Sequence, residues 1–323
     1  MLRSLVPLLG MALGTLSALA VSPANAQQYP SRPIRVVVPF PAGGTVDVAM
    51  RVVGQRLAEV LGQSIVIDNK PGGNGTIGAD FVAKAQPDGY TLLAVSSTHV
   101  INPSTMASMS FDPIKDFSPV TILGTLPLVI ATGLEQPFKS LPEMVAYAKS
   151  RPGVLSIGYT DASTLLFGEM LKSAAGLDIR QVPYKGGAPM LVDVMGGHIQ
   201  LGATGAGSAH PHHKAGKIRV LAVSEHKRAP SMPDVPTIAE SGLPGFNVQV
   251  WIAVLGPAGM PPALVTRLNT EIAKVISEPA VAARLTDLGT IPRGSSPADT
   301  VATLRADAQM WSAAAKKAGL KPE

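Results

Sequence analysis

The 323-residue chain has no cysteine, so it carries no disulfide framework, no thiolate metal site and no cysteine for lipid attachment. Aromatic residues make up 4% of it and its Lys and Arg are scattered, which excludes the stacking platforms and basic stripes that grip nucleic acid. Charged residues are sparse as well, and 27 basic against 22 acidic side chains leave only a weak positive field. Beyond residue 26, no run reaches the ~18 consecutive apolar residues of a membrane span. The glycine loops fit neither G-x-x-x-x-G-K-[ST] nor G-x-G-x-x-G, and no serine stands in G-x-S-x-G. A chain of this length without disulfides must rely on its core, and it is long enough for one or two well-buried domains.

What is present begins with a leader. Arg3, an apolar stretch over 5–21 and Ala24-Asn25-Ala26 make up the charge, hydrophobic core and A-x-A ending of a secretory signal peptide over 1–26, with cleavage before Gln27. Arg3 leaves with it, so the mature balance is 26 minus 22, or +4. A periplasmic location is the expectation.

The mature chain is organised around its first strand, loop and helix. Residues 34–38 form a β-branched run suited to a strand covered on both faces. Pro39-Phe40-Pro41-Ala42-Gly43-Gly44 follows, and then Val46, Ala49, Met50, Val53 and Leu57 keep helical spacing. The helix start leaves unpaired N–H groups at the positive end of its dipole, where a carboxylate or phosphate is well placed. An ordinary strand-to-helix turn explains the same loop.

Downstream, apolar runs and helical patterns alternate, which predicts α/β architecture with parallel-rich sheets flanked by helices. Strands are expected at 64–68, 90–95, 155–159, 179–183, 199–203 and 218–223. Ser96-Ser97-Thr98-His99 closes the second of these, and Thr160-Asp161-Ala162-Ser163-Thr164 closes the third; polar loops at strand carboxyl ends are where open sheets bind ligands. The apolar stretches 120–132 and 246–255 are too long for typical strands and read as two crossovers between lobes. The expected division is lobe 1 over 27–124 plus 252–323 and lobe 2 over 125–251, with a cleft between them and hinge closure available.

In that order the motifs resemble the tripartite tricarboxylate transporter substrate-binding proteins, or Bug family. The matching stretches include Tyr29-Pro30-Ser31-Arg32-Pro33, Pro39-Phe40-Pro41-Ala42-Gly43-Gly44 with Asp47, Asn69-Lys70-Pro71-Gly72-Gly73 and Pro87-Asp88-Gly89-Tyr90. Val182-Pro183-Tyr184-Lys185-Gly186-Gly187, Asp234-Val235-Pro236-Thr237 and Gly256-Pro257-Ala258-Gly259 extend the match over essentially the whole mature chain. The resemblance implies a two-lobed periplasmic-binding-protein fold (type II-like), joined by two crossover strands. It also implies a receptor that closes on a small carboxylated metabolite and passes it to a membrane permease. It places one carboxylate against Ala42, Gly43, Gly44 and Asp47 together with Ser96, Ser97 and Thr98. Second-lobe candidates are Thr160, Asp161, Ser163, Tyr184, Gly186, Thr204 and Gly205. Where many members have Phe-Asp-Asn, this chain has Ala203-Thr204-Gly205; the missing carboxylate removes an amine-recognising group and points to a plain organic acid.

Asp47 in the first helical turn reads more readily as a cap than as a ligand contact, since it would repel a carboxylate. Tyr184 is equally well a half-buried strand-end tyrosine, and Trp251 reads as core. His210, His212 and His213 lack the spacing and partners of a standard metal site, so neither metal nor cofactor is expected. The alternatives are a sensor for a membrane kinase and a periplasmic hydrolase or metal enzyme using the cleft or the histidines. Nothing demands a dimer, and a monomer is expected.

Overall fold

A computed structural model describes residues 29–320, so the leader expected at 1–26 lies outside the described residues. The chain opens with β1 (Ile34–Val38), α1 (Thr45–Leu61), β2 (Ile65–Asn69), α2 (Thr76–Ala83) and β3 (Thr91–Ser96). β1 alternates as a doubly covered strand must. Ile34, Val36 and Val38 join Met50, Val53 and Leu57 of α1 in one core, whereas Val37 joins Val82 of α2 in another. Gly62 ends α1 in the left-handed conformation at φ 66°, which costs glycine no Cβ clash. β2, β1 and β3 are parallel neighbours.

After the short helix α3 (Thr98–Ile101), the 16-residue strand β4 (Phe117–Thr132) passes from this sheet into a second one. There follow α4 (Leu141–Ser150), β5 (Ser156–Tyr159), α5 (Ala162–Ala175), β6 (Arg180–Pro183), α6 (Gly187–Met195), β7 (Leu201–Gly205), α7 (Ala206–Lys214) and β8 (Arg219–Val223). β9 (Gln249–Pro257) then returns, and α8 (Pro262–Ser277), α9 (Pro279–Asp287), β10 (Ile291–Pro292) and α10 (Pro297–Lys317) complete the described fold. The strand order is β2-β1-β3-β9-β4-β7-β5-β6, with β8 and β10 also paired to β4.

The outer strands are parallel, as the alternating pattern predicts: β1 with β2 and β3, and β5 with β6 and β7. Every antiparallel pair involves β4 or β9, because a strand that crosses between sheets and one that returns run in opposite directions. The register of β4 against β9 shifts twice, between Pro119 and Thr121 and between Ile122 and Gly124, bulges that bend the crossover. Four cores result, one on each face of each sheet. α10 serves both halves: Leu304 packs with Phe117, Ile122 and Trp251, whereas Trp311 and Ala315 enter the core built around Phe138, Phe167 and Leu171.

Candidate functional site

The loop after β1 is shaped by Asp47. This carboxylate is 1% exposed although it lies in the first turn of α1. Its Oδ2 accepts from the Gly43 amide at 2.8 Å and from Arg51 Nε at 3.0 Å, and its Oδ1 accepts from Asn69 Nδ2 at 3.0 Å. Asn69 donates also to the Phe40 carbonyl, fastening the loop to the end of β2. Burial pushes the Asp47 carboxyl up, but the hydrogen bonds from Arg51, Gly43 and Asn69 outweigh it and hold the group below the usual carboxylate range. Asp47 is therefore a brace turned away from solvent.

With the Gly43 amide taken by Asp47 and the Gly44 amide donating to the Pro41 carbonyl at 3.3 Å, the groups left over are one residue further on. The amides of Thr45 and Val46 have no partner among the described residues, and the N-cap Gly44 supplies no side-chain cap. Both residues border a cavity of about 590 Å³ between the two sheets. This volume lies within the range of small-molecule sites, ~300–1,000 Å³.

Three helices of the second half also begin at this cavity. α5 is capped: Asp161 Oδ1 accepts from the Ser163 amide at 2.8 Å and the Thr164 amide at 3.0 Å, and the Thr164 hydroxyl oxygen accepts from the Asp161 amide at 3.1 Å to close a capping box. α6 and α7 begin at Gly186 and Gly205, neither of which supplies a side-chain cap. The floor comes from the crossover strands, through Leu126 and Leu128 of β4 and Val250 of β9. Among the described residues bordering the cavity there is no Lys, Arg or His, and Asp161 is the one carboxylate.

Of the residues singled out in the sequence, Gly43, Gly44, Ser96, Thr98, Thr160, Asp161, Ser163, Gly186, Thr204 and Gly205 border the cavity. Ala42, Asp47, Ser97 and Tyr184 do not. Ala42 is exposed. Ser97 is fully buried, with its Oγ accepting from the Trp251 amide at 3.1 Å, so it ties the end of β3 to β9. Tyr184 donates to Asp193 Oδ2 at 2.8 Å, and burial together with that carboxylate pushes its phenol up to about 12. His213 on α7 accepts from the Val220 amide, and among the described residues no group of three or more His, Cys, Asp or Glu is arranged to hold a metal. Thr45 and Val46 contribute backbone amides, which no side-chain pattern in the sequence announces. Leu126, Leu128 and Val250 lie inside long apolar strands, where the sequence does not distinguish a cavity lining from core.

Two α/β halves joined by paired crossover strands, with helix starts from both halves facing one cleft, define a solute receptor. The sequence profile described as tripartite tricarboxylate transporter family receptor matches residues 49–320, and the chain belongs to that family. Across 321 residues, 98% of each chain, it is 33% identical to the protein BugT of Bordetella pertussis. It is similar in structure to Rpa4515 of R. palustris, solved with adipate, at a TM-score of 0.83 and 37% identity over 91% of this chain and all of that one. MatC of Rhodopseudomonas palustris, solved with bound malate, superposes at a TM-score of 0.76 with 31% identity, covering 89% of this chain and 100% of that chain. The family is one of periplasmic receptors rather than enzymes.

Proposed function

We propose that this chain takes a small organic acid into the cleft between its lobes and presents it, enclosed, to the permease of a tripartite tricarboxylate-type transporter. The observation that carries the reading is the start of α1, where the Thr45 and Val46 amides face the cavity without partners while Asp47 has already claimed the Gly43 amide. A carboxylate there accepts from both amides at the positive end of the helix dipole. Thr98 adds a hydroxyl: its Oγ1 accepts from Ser96 at 3.2 Å and keeps its own proton to donate. Two similar proteins, solved with adipate and with malate, support an acid as ligand.

In this reading the leader is removed on export and the receptor works as a periplasmic monomer. Residues 27–124 with 252–323 form one lobe, 125–251 form the other, and α10 clasps both. Closure about β4 and β9 follows ligand binding to the extent that the acid favours the closed arrangement over the open one.

Thermal unfolding of ligand-free protein against mono-, di- and tricarboxylates, with amides and alcohols as neutral controls, tests the reading. An acid at ~100 times its dissociation constant adds about 2.7 kcal/mol of stability. Thr45→Pro removes one of the two amides at the first helical position, where proline fits, and is expected to weaken acid binding about tenfold with the fold intact. Stabilisation by neutral compounds and by no acid would overturn the carboxylate reading. Uptake of the bound acid into vesicles holding the permease, dependent on added receptor, tests the transport partner.

A further inference from the structure

Behind the crossover strands, on the side away from the cleft, lies a buried carboxylate that the site does not use. Leu126 and Leu128 of β4 and Val250 of β9 floor the cavity. Side chains alternate along a strand, so Thr125 of β4 and Gln249 and Trp251 of β9 face the other way. Glu225 follows β8 directly and is anchored to β4 through the residue before it. The Ser224 amide donates to the Leu128 carbonyl at 2.8 Å, and the Leu128 amide donates to Ser224 Oγ at 3.0 Å. Glu225 is 6% exposed, and the Thr125 hydroxyl and the Arg293 charge both act on its carboxyl. Its Oε1 nonetheless has no hydrogen-bond partner among the described residues.

Arg293 reaches the same place from the other half. It follows β10, its amide donates to the Leu123 carbonyl at 2.8 Å, and its Nη1 donates to Gln249 Oε1 at a long 3.4 Å. Neither Glu225 nor Arg293 belongs to an ion pair among the described residues. A buried carboxylate with an orphaned oxygen, beside a guanidinium spent on one weak neutral bond, is a pair held apart. In front of the strands the halves are in contact: Gly207 and Gly289 meet at the cavity so closely that a Cβ on Gly289 would collide with the Gly207 backbone. Groups in front of a hinge and groups behind it move in opposite senses when it turns. With the halves touching at the cavity, Glu225 and Arg293 stand apart; as the cleft opens, they approach.

We propose that Glu225 and Arg293 form a latch behind the hinge, an ion pair between the lobes that joins as the cleft opens and holds the empty receptor open. This rests on the hinged two-lobe reading above. A ligand must release the latch to close the cleft, so the latch lowers apparent affinity and keeps an empty receptor from presenting the closed form to a permease. The chain has no cysteine, so spin labels on Ile77→Cys and Val192→Cys report one pair of sites only. Each residue is 59% exposed, Ile77 on α2 of one half and Val192 on α6 of the other, and both helices start at the cavity. Double electron–electron resonance of the ligand-free protein reads their separation without any ligand. Glu225→Gln and Arg293→Gln are each expected to reduce the long-distance, open population several-fold, and the double variant to go no further than either. Arg293→Lys, which keeps the charge, is expected to retain most of the open population. Native distances in both glutamine variants, a shift to longer ones, additive shifts in the double variant, or a loss in Arg293→Lys as large as in Arg293→Gln would overturn the latch and leave the hinge standing. One narrow distance in the unsubstituted pair, unmoved by every acid that raises thermal stability, would count against the hinged reading itself.

Discussion

Two groups shielded from water, His99 and Asp307, shift this protein's response to acid in opposite senses. His99 lies buried on α3 with its Nε2 donating to the Pro113 carbonyl at 2.9 Å, between the rings of Phe111 and Phe117. Burial pushes its imidazole down to about 4, the hydrogen bond only partly opposing. Asp307 on α10 accepts from the Trp251 indole at 2.5 Å, yet burial pushes its carboxyl up to about 6. As pH falls from ~6.5 to ~4, the unfolded chain protonates its histidine while the folded one does not, so His99 removes about 3 kcal/mol of stability. Over pH ~6 to ~4, the folded chain protonates Asp307 before the unfolded one does, which returns somewhat less because Asp307 is only partly buried. Glu225, raised by burial with its Oε1 unpartnered among the described residues, acts in the same direction as Asp307. Stability is thus expected to change little between pH 6 and 4 in the native chain. His99→Gln, which keeps a donor for Pro113, is expected to gain stability over that interval, and Asp307→Asn to lose it. Urea unfolding at intervals of pH decides the matter, and parallel curves for all three proteins would refute the assignment.

At the scale of single elements, the start of α5 shows stability and binding pulling apart. Asp161→Ala removes the capping box and is expected to cost about 1 kcal/mol. Asp161→Asn keeps a capping oxygen but deletes the one carboxylate that borders the cavity among the described residues, and is expected to bind acids several-fold tighter at nearly native stability. Calorimetry on the two variants reads both effects, and unchanged affinity in the asparagine variant would show that Asp161 is electrostatically silent towards the ligand. The same scale marks how far sequence alone reaches. β1 was legible because Val36, Val37 and Val38 are apolar whichever face they take, and α8 because Val265, Leu268, Ile272 and Val275 keep one stripe. β10 was invisible, since two residues, Ile291 and Pro292, carry no periodicity. The direction of pairing was hidden too: a β-branched run such as β9 packs equally well beside a parallel or an antiparallel neighbour. The glycine-rich helix starts at Gly44, Gly186 and Gly205 stood out in the sequence, but that they converge on one cavity depends on pairings between strands far apart in the chain.

Across the whole molecule, the halves touch through glycines. A Cβ on Gly207 at the start of α7 would lie 2.5 Å from the Leu288 carbonyl, and one on Gly289 would collide with Gly207. Both residues border the cavity, one from each half. Gly207→Ala is expected to wedge the lobes apart and weaken ligand binding about tenfold or more through loss of the closed population. Small-angle scattering of the variant saturated with ligand should then retain the larger radius of the free form; a native-like contraction would show that the contact does not govern closure. α10 has another consequence, for the order in which the protein can be completed. Trp311 and Ala315 fill the core around Phe138 and Phe167, more than a hundred residues earlier in the chain, while Leu304 of the same helix seals the core under Trp251. A nascent chain that has just finished β9 therefore has every strand of both central sheets except β10, yet still exposes apolar surface on each. Both halves therefore lack part of their apolar core until this one helix, the last of the described fold, docks against them.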